Sequence, residues 1–191
     1  MNARLLRSLP LLLLACTTAT AGAAAPFQQV LNLQGVSFNV KATGAGSQQT
    51  LQVRATQGGK PFPVISELVD GSVTGARVED LNSDGRPELL VFVTSAGSGS
   101  YGEVKAWTTG RTGRVLLPIV MNQLSGKLAE GYMGHDRFEV VESTLARSFP
   151  IYKPGDSNAK PTGGVRQVNY KLFAGEASWL FKPVNSFTFA K

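Results

Sequence analysis

Apolar and polar residues alternate one for one in short segments along much of the chain. Val36, Phe38, Val40 and Ala42 are separated by Ser37, Asn39 and Lys41. Leu51, Val53 and Ala55 are separated by Gln52 and Arg54, and Val168, Tyr170 and Leu172 by Asn169 and Lys171. Successive strand side chains point to opposite faces, so a period of two predicts half-buried antiparallel strands. Glu88 to Val93 (ELLVFV) is more continuously apolar and reads as a central strand. Val115 to Pro118 reads as a short strand that Pro118 must end or place on an edge, because proline has no N–H for the ladder. Turn signals fall between these segments: Gly44-Ala45-Gly46, Gly58-Gly59, Asp84-Gly85, Gly110, Gly113, Pro154-Gly155-Asp156, Gly163-Gly164 and Gly175. Short strands with regular turns predict an all-β fold, an antiparallel β-sandwich or barrel-like single domain over residues 26–191. No internal repeat or interdomain linker interrupts it.

One stretch leaves two readings open. His135 to Phe149 contains no Gly or Pro, and Phe138, Val141, Leu145 and Phe149 sit near helical spacing. Asp136 and Glu139 would suit a helix capping box. The same stretch is rich in Val, Phe and Thr, and Ser143-Thr144 suits a hairpin turn. Two strands are favoured by the strand-like surroundings.

The N-terminus is a leader. Arg4 and Arg7 precede the apolar run Leu9, Leu11, Leu12, Leu13 and Leu14, and Ala19-Thr20-Ala21 fits an A-x-A cleavage site. This predicts a secretory signal peptide over residues 1–21, cleaved near Ala21 or Ala25, too short for a membrane span. The expected location is the periplasm. Leu13-Leu14-Ala15-Cys16 resembles a bacterial lipobox, so a lipoprotein anchored through Cys16 is the alternative.

Composition narrows the chemistry. The chain has one Cys and one His, which excludes a Cys/His metal cluster and, outside the leader, a Cys–His pair. The 19 Lys and Arg against 13 Asp and Glu give a net charge of +6; losing Arg4 and Arg7 with the leader leaves +4. The basic residues are scattered singly, so nucleic acid is not an expected partner. A mildly basic exported protein suits an anionic envelope surface or an acidic protein. His135 reads as a surface or turn residue, and Trp107, Trp179 and Phe181 as core. No spacing singles out a pair of carboxylates for glycoside hydrolysis.

Two segments stand out. Ala96-Gly97-Ser98-Gly99-Ser100-Tyr101-Gly102 follows ELLVFV and is longer than an ordinary hairpin loop. Gly97, Gly99 and Gly102 allow a positive φ and close approach. Ser98 and Ser100 offer small hydroxyls, and Tyr101 offers rigid area with a phenol at low entropy cost. That is the composition of a protein-binding loop; the alternative is a flexible hairpin with Tyr101 folded back on the sheet. The second segment, Asp80-Leu81-Asn82-Ser83-Asp84-Gly85, places oxygen-bearing side chains at alternate positions before a Gly turn. Asp80, Asn82 and Asp84 are therefore candidate Ca²⁺ ligands. Val91 stands where an EF-hand has its bidentate Glu, and the alternative is an Asx turn into the next strand.

Glu79 to Leu89, then Thr94 to Gly102, resemble the periplasmic inhibitors of invertebrate-type (i-type) lysozyme of Gram-negative bacteria. Phe149-Pro150-Ile151-Tyr152, Thr162 to Arg166 and Tyr170-Lys171-Leu172 resemble the same group in the same order, over roughly residues 30–185. The resemblance implies a non-enzymatic, all-β protein whose loop enters the lysozyme active-site cleft and blocks peptidoglycan hydrolysis, a means of evading host defence. It further implies that Ser98 and Tyr101 are the key contacts, with Gly97, Gly99, Ser100 and Gly102 shaping the loop. The loop needs pre-organisation, which its two flanking strands are expected to supply. The implied partner is a lysozyme, i-type favoured; a homodimer is compatible with the sequence, and no cofactor beyond Ca²⁺ is expected. The alternatives are a calcium-assisted envelope glycan- or ligand-binding module and a glycan-acting enzyme with unassigned carboxylates.

Overall fold

The structure, a computed structural model, describes residues 26–190. The leader, with Cys16 and both candidate cleavage positions, lies outside the described residues. None of the described helices is long and apolar enough to cross a membrane. Thirteen strands and one short 3-10 turn, Gly126–Ala129, make up the regular structure of the described residues.

The first sheet contains β1 (Phe27–Leu33), β2 (Val36–Thr43), β3 (Gln48–Gln57), β4 (Lys60–Pro61) and β5 (Ile65–Asp70). β1, β2 and β3 form an antiparallel meander, and β4 and β5 both pair with the far side of β3. The second sheet contains β6 (Ser72–Glu79), β7 (Glu88–Thr94), β8 (Gly102–Thr109) and β9 (Leu116–Met121). It continues with β10 (Arg137–Val141), β11 (Thr144–Pro150), β12 (Val165–Ala174) and β13 (Trp179–Phe189). Its spatial order is β10-β11-β12-β13-β9-β8-β7-β6. The sheet curls into a nearly closed, barrel-like arrangement. Phe92 of β7 thereby stacks on Phe138 of β10, with ring centroids 5.8 Å apart.

Each alternating segment buries the phase its sequence marks. Val36, Phe38, Val40, Ala42, Leu51, Val53 and Ala55 enter one core between the sheets. Val168, Tyr170 and Leu172 enter a second, inside the curled sheet, with Leu145, Phe149 and Phe181. β7 serves both. Leu89, Val91 and Val93 face the first core, and Leu90 faces the second with Phe92 packed against it. A strand covered on both faces has no use for alternation, which explains ELLVFV. Trp107 and Phe181 are buried, and Trp179 packs half-buried against the second core.

Residues 137–150 form a hairpin, not a helix. Val141 pairs with Thr144 across a two-residue turn, so the turn residues are Glu142 and Ser143. Both have positive φ, 45° and 59°, as a turn matched to strand twist requires. The capping box gives way because Asp136 is needed inside the protein.

Pro118 does not end β9, which continues to Met121 between β8 and β13, but it does stand at a local edge. Parallel pairing with β13 starts at Ile119, so at Pro118 the strand is laddered on the β8 side alone, and the missing N–H costs little there.

Glu88 anchors the start of β7. It is fully buried, accepting 2.8 Å from the Leu81 N–H and 2.6 Å from the Thr108 hydroxyl. Burial, with Asp84 and Asp80 adding to it, pushes its carboxyl from 4.5 up to about 7 against those two hydrogen bonds. The folded protein therefore holds this proton through a pH window in which the unfolded chain has lost it. The Glu88 contribution to stability is full below about pH 4.5 and is lost as pH rises through about 7. Glu88→Gln mimics the neutral acid, so between pH 4.5 and 7.5 its stability is expected to gain on wild type by up to about 3 kcal/mol. Urea unfolding of both proteins across that range checks this; a constant difference overturns the assignment.

Candidate functional site

β7 ends at Thr94 and β8 begins at Gly102, leaving Ser95 to Tyr101 as their connection. Its base is closed by two bonds. The Ser95 N–H donates to the Tyr101 carbonyl at 2.8 Å, and the Tyr101 N–H donates to the Ser95 hydroxyl oxygen at 2.9 Å. Within it the Ser100 N–H donates to the Gly97 carbonyl at 3.2 Å. That turn holds Gly97 at φ 127° and Ser100 at φ 43°, the former a conformation only glycine adopts without strain.

The flanking strands are not the main brace. Two other segments hold the loop, one at His135-Asp136 and one at Asn158. The His135 N–H donates to the Gly99 carbonyl at 2.7 Å, and the Asn158 side-chain amide donates to the Ser98 carbonyl at 2.6 Å. The Asp136 carboxylate accepts the Gly102 N–H at 2.7 Å. His135 is half-buried in an irregular segment, at φ 57°. Gly134 lets this segment pass under the loop: at φ +90°, a Cβ on it would meet the Gly99 carbonyl oxygen.

Asp136 is the hub. Its side chain is fully buried, and that of its partner Arg147 is 8% exposed. Arg147 Nε donates to Oδ1 at 2.7 Å. The Tyr132 hydroxyl donates to Oδ2 at 2.6 Å and itself accepts from Arg147 at 2.7 Å. Burial and the bond to Asp136 keep the Tyr132 phenol protonated far above its ordinary range. The Arg147 guanidinium also lies 5.0 Å from the Tyr132 ring centroid. A buried charge costs several kcal/mol unless paired and hydrogen-bonded, and here both oxygens of the carboxylate are satisfied.

Asn158 is positioned with similar care. The Asp156 carboxyl accepts from the Lys153 and Thr162 N–H groups and the Thr162 hydroxyl, which holds it below the usual carboxylate range. Tyr152 donates its hydroxyl to the Asn158 carbonyl at 2.9 Å. With the Asn158 amide nitrogen committed to Ser98, its oxygen faces His135 Nε2 at 3.1 Å, which assigns the proton to that nitrogen.

At the tip, Ser98 is exposed and Ser100 half-buried. The Tyr101 ring packs edge-on against Tyr132 at 5.6 Å, yet the residue stays 48% exposed. The result is a fixed backbone carrying a free hydroxyl and a half-exposed phenol, with no charged side chain among Ser95–Gly102.

Asp80, Asn82 and Asp84 lie at the other end of β7, far from this loop in the fold. Asp80 accepts from the Asp84 and Gly85 N–H groups and from the Gln34 amide. Asn82 accepts the Asp84 N–H, and Asp84 accepts from Arg86 main chain and side chain. These are the bonds of an Asx-type turn. Among the described residues no group of three or more His, Cys, Asp and Glu side chains is placed to hold a metal ion.

The residues that sequence reading missed are the braces: Tyr132, Gly134, Asp136, Arg147 and Asn158. One of them had a signal. Arg147 occupies the buried phase of β11 between Leu145 and Phe149, and a charge on the inward phase demands a partner.

Residues 56–127 match a family described as periplasmic lysozyme inhibitor of I-type lysozyme. The matched segment runs from the end of β3 to the 3-10 turn and holds both the Asp80 and Ser95 loops; the braces from Tyr132 to Asn158 lie beyond it. The family is one of inhibitors, not enzymes. No curated protein matches the chain.

Arg147→Met would leave the Asp136 charge buried and unpaired. It is expected to lower stability by about 3–5 kcal/mol and to speed exchange of the Gly102 amide. Urea unfolding and amide exchange check both. Gly134→Ala is expected to displace the loop, with faster Ser100 exchange and a smaller loss of stability.

Proposed function

We propose that this chain is an exported periplasmic inhibitor of I-type lysozyme that works by inserting Ser98 to Gly102 into the enzyme's active-site cleft. The observation that carries the reading is the loop itself. It lies inside the family-matched segment, two other segments fix its backbone, the Ser98 hydroxyl stands exposed at its tip, and Tyr101 at its base stays half exposed.

A glycan-cleaving cleft carries two carboxyl groups, one held protonated as general acid. A hydroxyl both donates and accepts, so Ser98 and Tyr101 suit either state of such a group. Hydrogen bonds to a charged group contribute about 1.5–3 kcal/mol each. The loop also blocks the glycan sterically. Because its backbone is already fixed, little ordering entropy opposes binding. Gly97, Gly99 and Gly102 serve shape: a Cβ on Gly99 would run into the Tyr101 ring, and one on Gly102 into Asp136 and Phe138.

A lysis assay on peptidoglycan-exposed cells tests the reading, with purified protein titrated against I-type, chicken-type and goose-type lysozymes. Inhibition of the I-type enzyme is expected. Tyr101→Ala should weaken it roughly 30-fold or more, about 2 kcal/mol, and Ser98→Ala roughly 10-fold, with unfolding midpoints unchanged. Inhibition should persist in EDTA, whereas chelator-sensitive activity would point to the Asp80 loop. No inhibition of any lysozyme, or release of glycan fragments by the protein alone, overturns the proposal.

A further inference from the structure

The curled sheet has a seam beside the loop. β9 pairs with β8 from Thr109 down to Ala106, opposite Leu116 to Ile119, and no further. At Ile119 it turns to parallel pairing with β13. The first half of β8 therefore has β7 on one side and no strand on the other. Alternation gives the direction of its backbone groups. The Tyr101 carbonyl faces Ser95 on the β7 side, and the Gly102 N–H turns away from β7 to Asp136. Val104, two residues on, thus also points its N–H and carbonyl away from β7, into the seam.

The seam opens into a cleft of about 700 Å³ that shares Ser95, Tyr101 and Gly102 with the base of the loop. Glu67, Asp70 and Glu103 line it, facing Lys105. Lys105 bonds Glu103 at 2.7 Å. Burial pulls Lys105 down, but Glu103, Glu67 and Asp70 together hold it above its ordinary value, so three carboxylates share one ammonium. Glu67 Oε1 is buried without a hydrogen-bond partner. On a chain of net charge +6, this is a local acidic surface.

We propose that the β8–β9 seam receives an extended, basic segment of the same lysozyme that the Tyr101 loop inhibits, pairing with the open β8 edge at Val104 and placing a cationic side chain against Glu67, Asp70 and Glu103. This rests on the inhibitor reading and adds a second contact to it. Strand addition to an open edge supplies main-chain hydrogen bonds, and the carboxylates supply the choice of partner. The seam is continuous with the loop, so a partner seated on Tyr101 reaches it directly.

Two measurements on the complex with I-type lysozyme test the proposal. Site-resolved hydrogen exchange is expected to show the Val104 amide protected at least 10-fold on binding. Stopped-flow association of Glu67→Gln/Glu103→Gln is expected to be about 3–10-fold slower than wild type at low ionic strength, converging near 1 M salt. Tyr101→Ala should instead speed dissociation. An unprotected Val104 amide, or an unchanged association rate, in a complex that still depends on Tyr101 overturns the seam and leaves the inhibitor reading standing. Absence of any complex with wild-type protein overturns both.

Discussion

The buried pair of Asp136 and Arg147, closed into a triangle by the Tyr132 hydroxyl, fixes the base of the Ser95–Gly102 loop. Asp136 comes just before β10, Arg147 from β11, Tyr132 from the segment after the 3-10 turn. The remaining capacity of the carboxylate goes to the Gly102 N–H, the first residue of β8. One carboxylate thus ties the β10 end of the curled sheet to the start of β8, next to the exposed loop. A buried ion pair is weak evidence for stability, since an apolar trio of equal volume can do as well. Its use here is geometric. Apolar packing would fill the space without dictating where the Gly102 N–H must sit.

The rest of the fold supplies a stiff base for that triangle. β7 lies between two cores, and its far end is anchored by Glu88 to the Asp80 turn and to Thr108. A strand packed on both faces has little freedom to tilt, because interiors are close-packed. The Ser95 loop is therefore carried by a strand packed on both faces. The two motifs that drew attention in the sequence sit at opposite ends of β7 with different parts to play. The polar side chains of the Asp80 turn are spent on its own backbone and neighbours, while the tip of the Ser95 loop keeps its hydroxyls free.

Much of this was legible in the sequence because burial leaves a period. The phases of β2, β3 and β12 were all visible in alternation, and the double burial of β7 in its absence. Pro118 was legible as a residue with a strand on one side only; that β9 runs on past it, to gain a second partner at Ile119, is a matter of topology. The hairpin over 137–150 was ambiguous because Phe138, Val141, Leu145 and Phe149 sit near helical spacing, whereas the inward phase of β10 is Phe138 and Val140 and Val141 is exposed; two positive φ values at Glu142 and Ser143 have no glycine to announce them. The loop was legible by composition, but its braces were not. Each brace is a hydrogen bond across a long sequence gap, from Asn158 to Ser98 and from Asp136 to Gly102, and a single sequence carries no mark of such pairs. Arg147 on an inward phase announced that a partner existed without naming it.

The absence of charge at the loop tip follows from the task proposed for it. A cleft with one ionised and one protonated carboxyl would repel a fixed anion and would place a fixed cation beside a group that gains nothing from it. Hydroxyls adapt to both, at the cost of weaker individual bonds. Weak bonds make a tight complex only when the atoms that form them are already in place, so a neutral tip calls for a rigid support. That is where the charged groups are found: Asp136 and Arg147 are buried just behind the tip, neutralising each other, where they hold the backbone and add no field of their own to the contact. The acidic seam is set to one side, where it can attract a basic flank without facing the carboxyl groups of the cleft. On this proposal, recognition by the neutral tip depends on support by the buried pair, while attraction by the lateral acidic surface can be altered without undoing either.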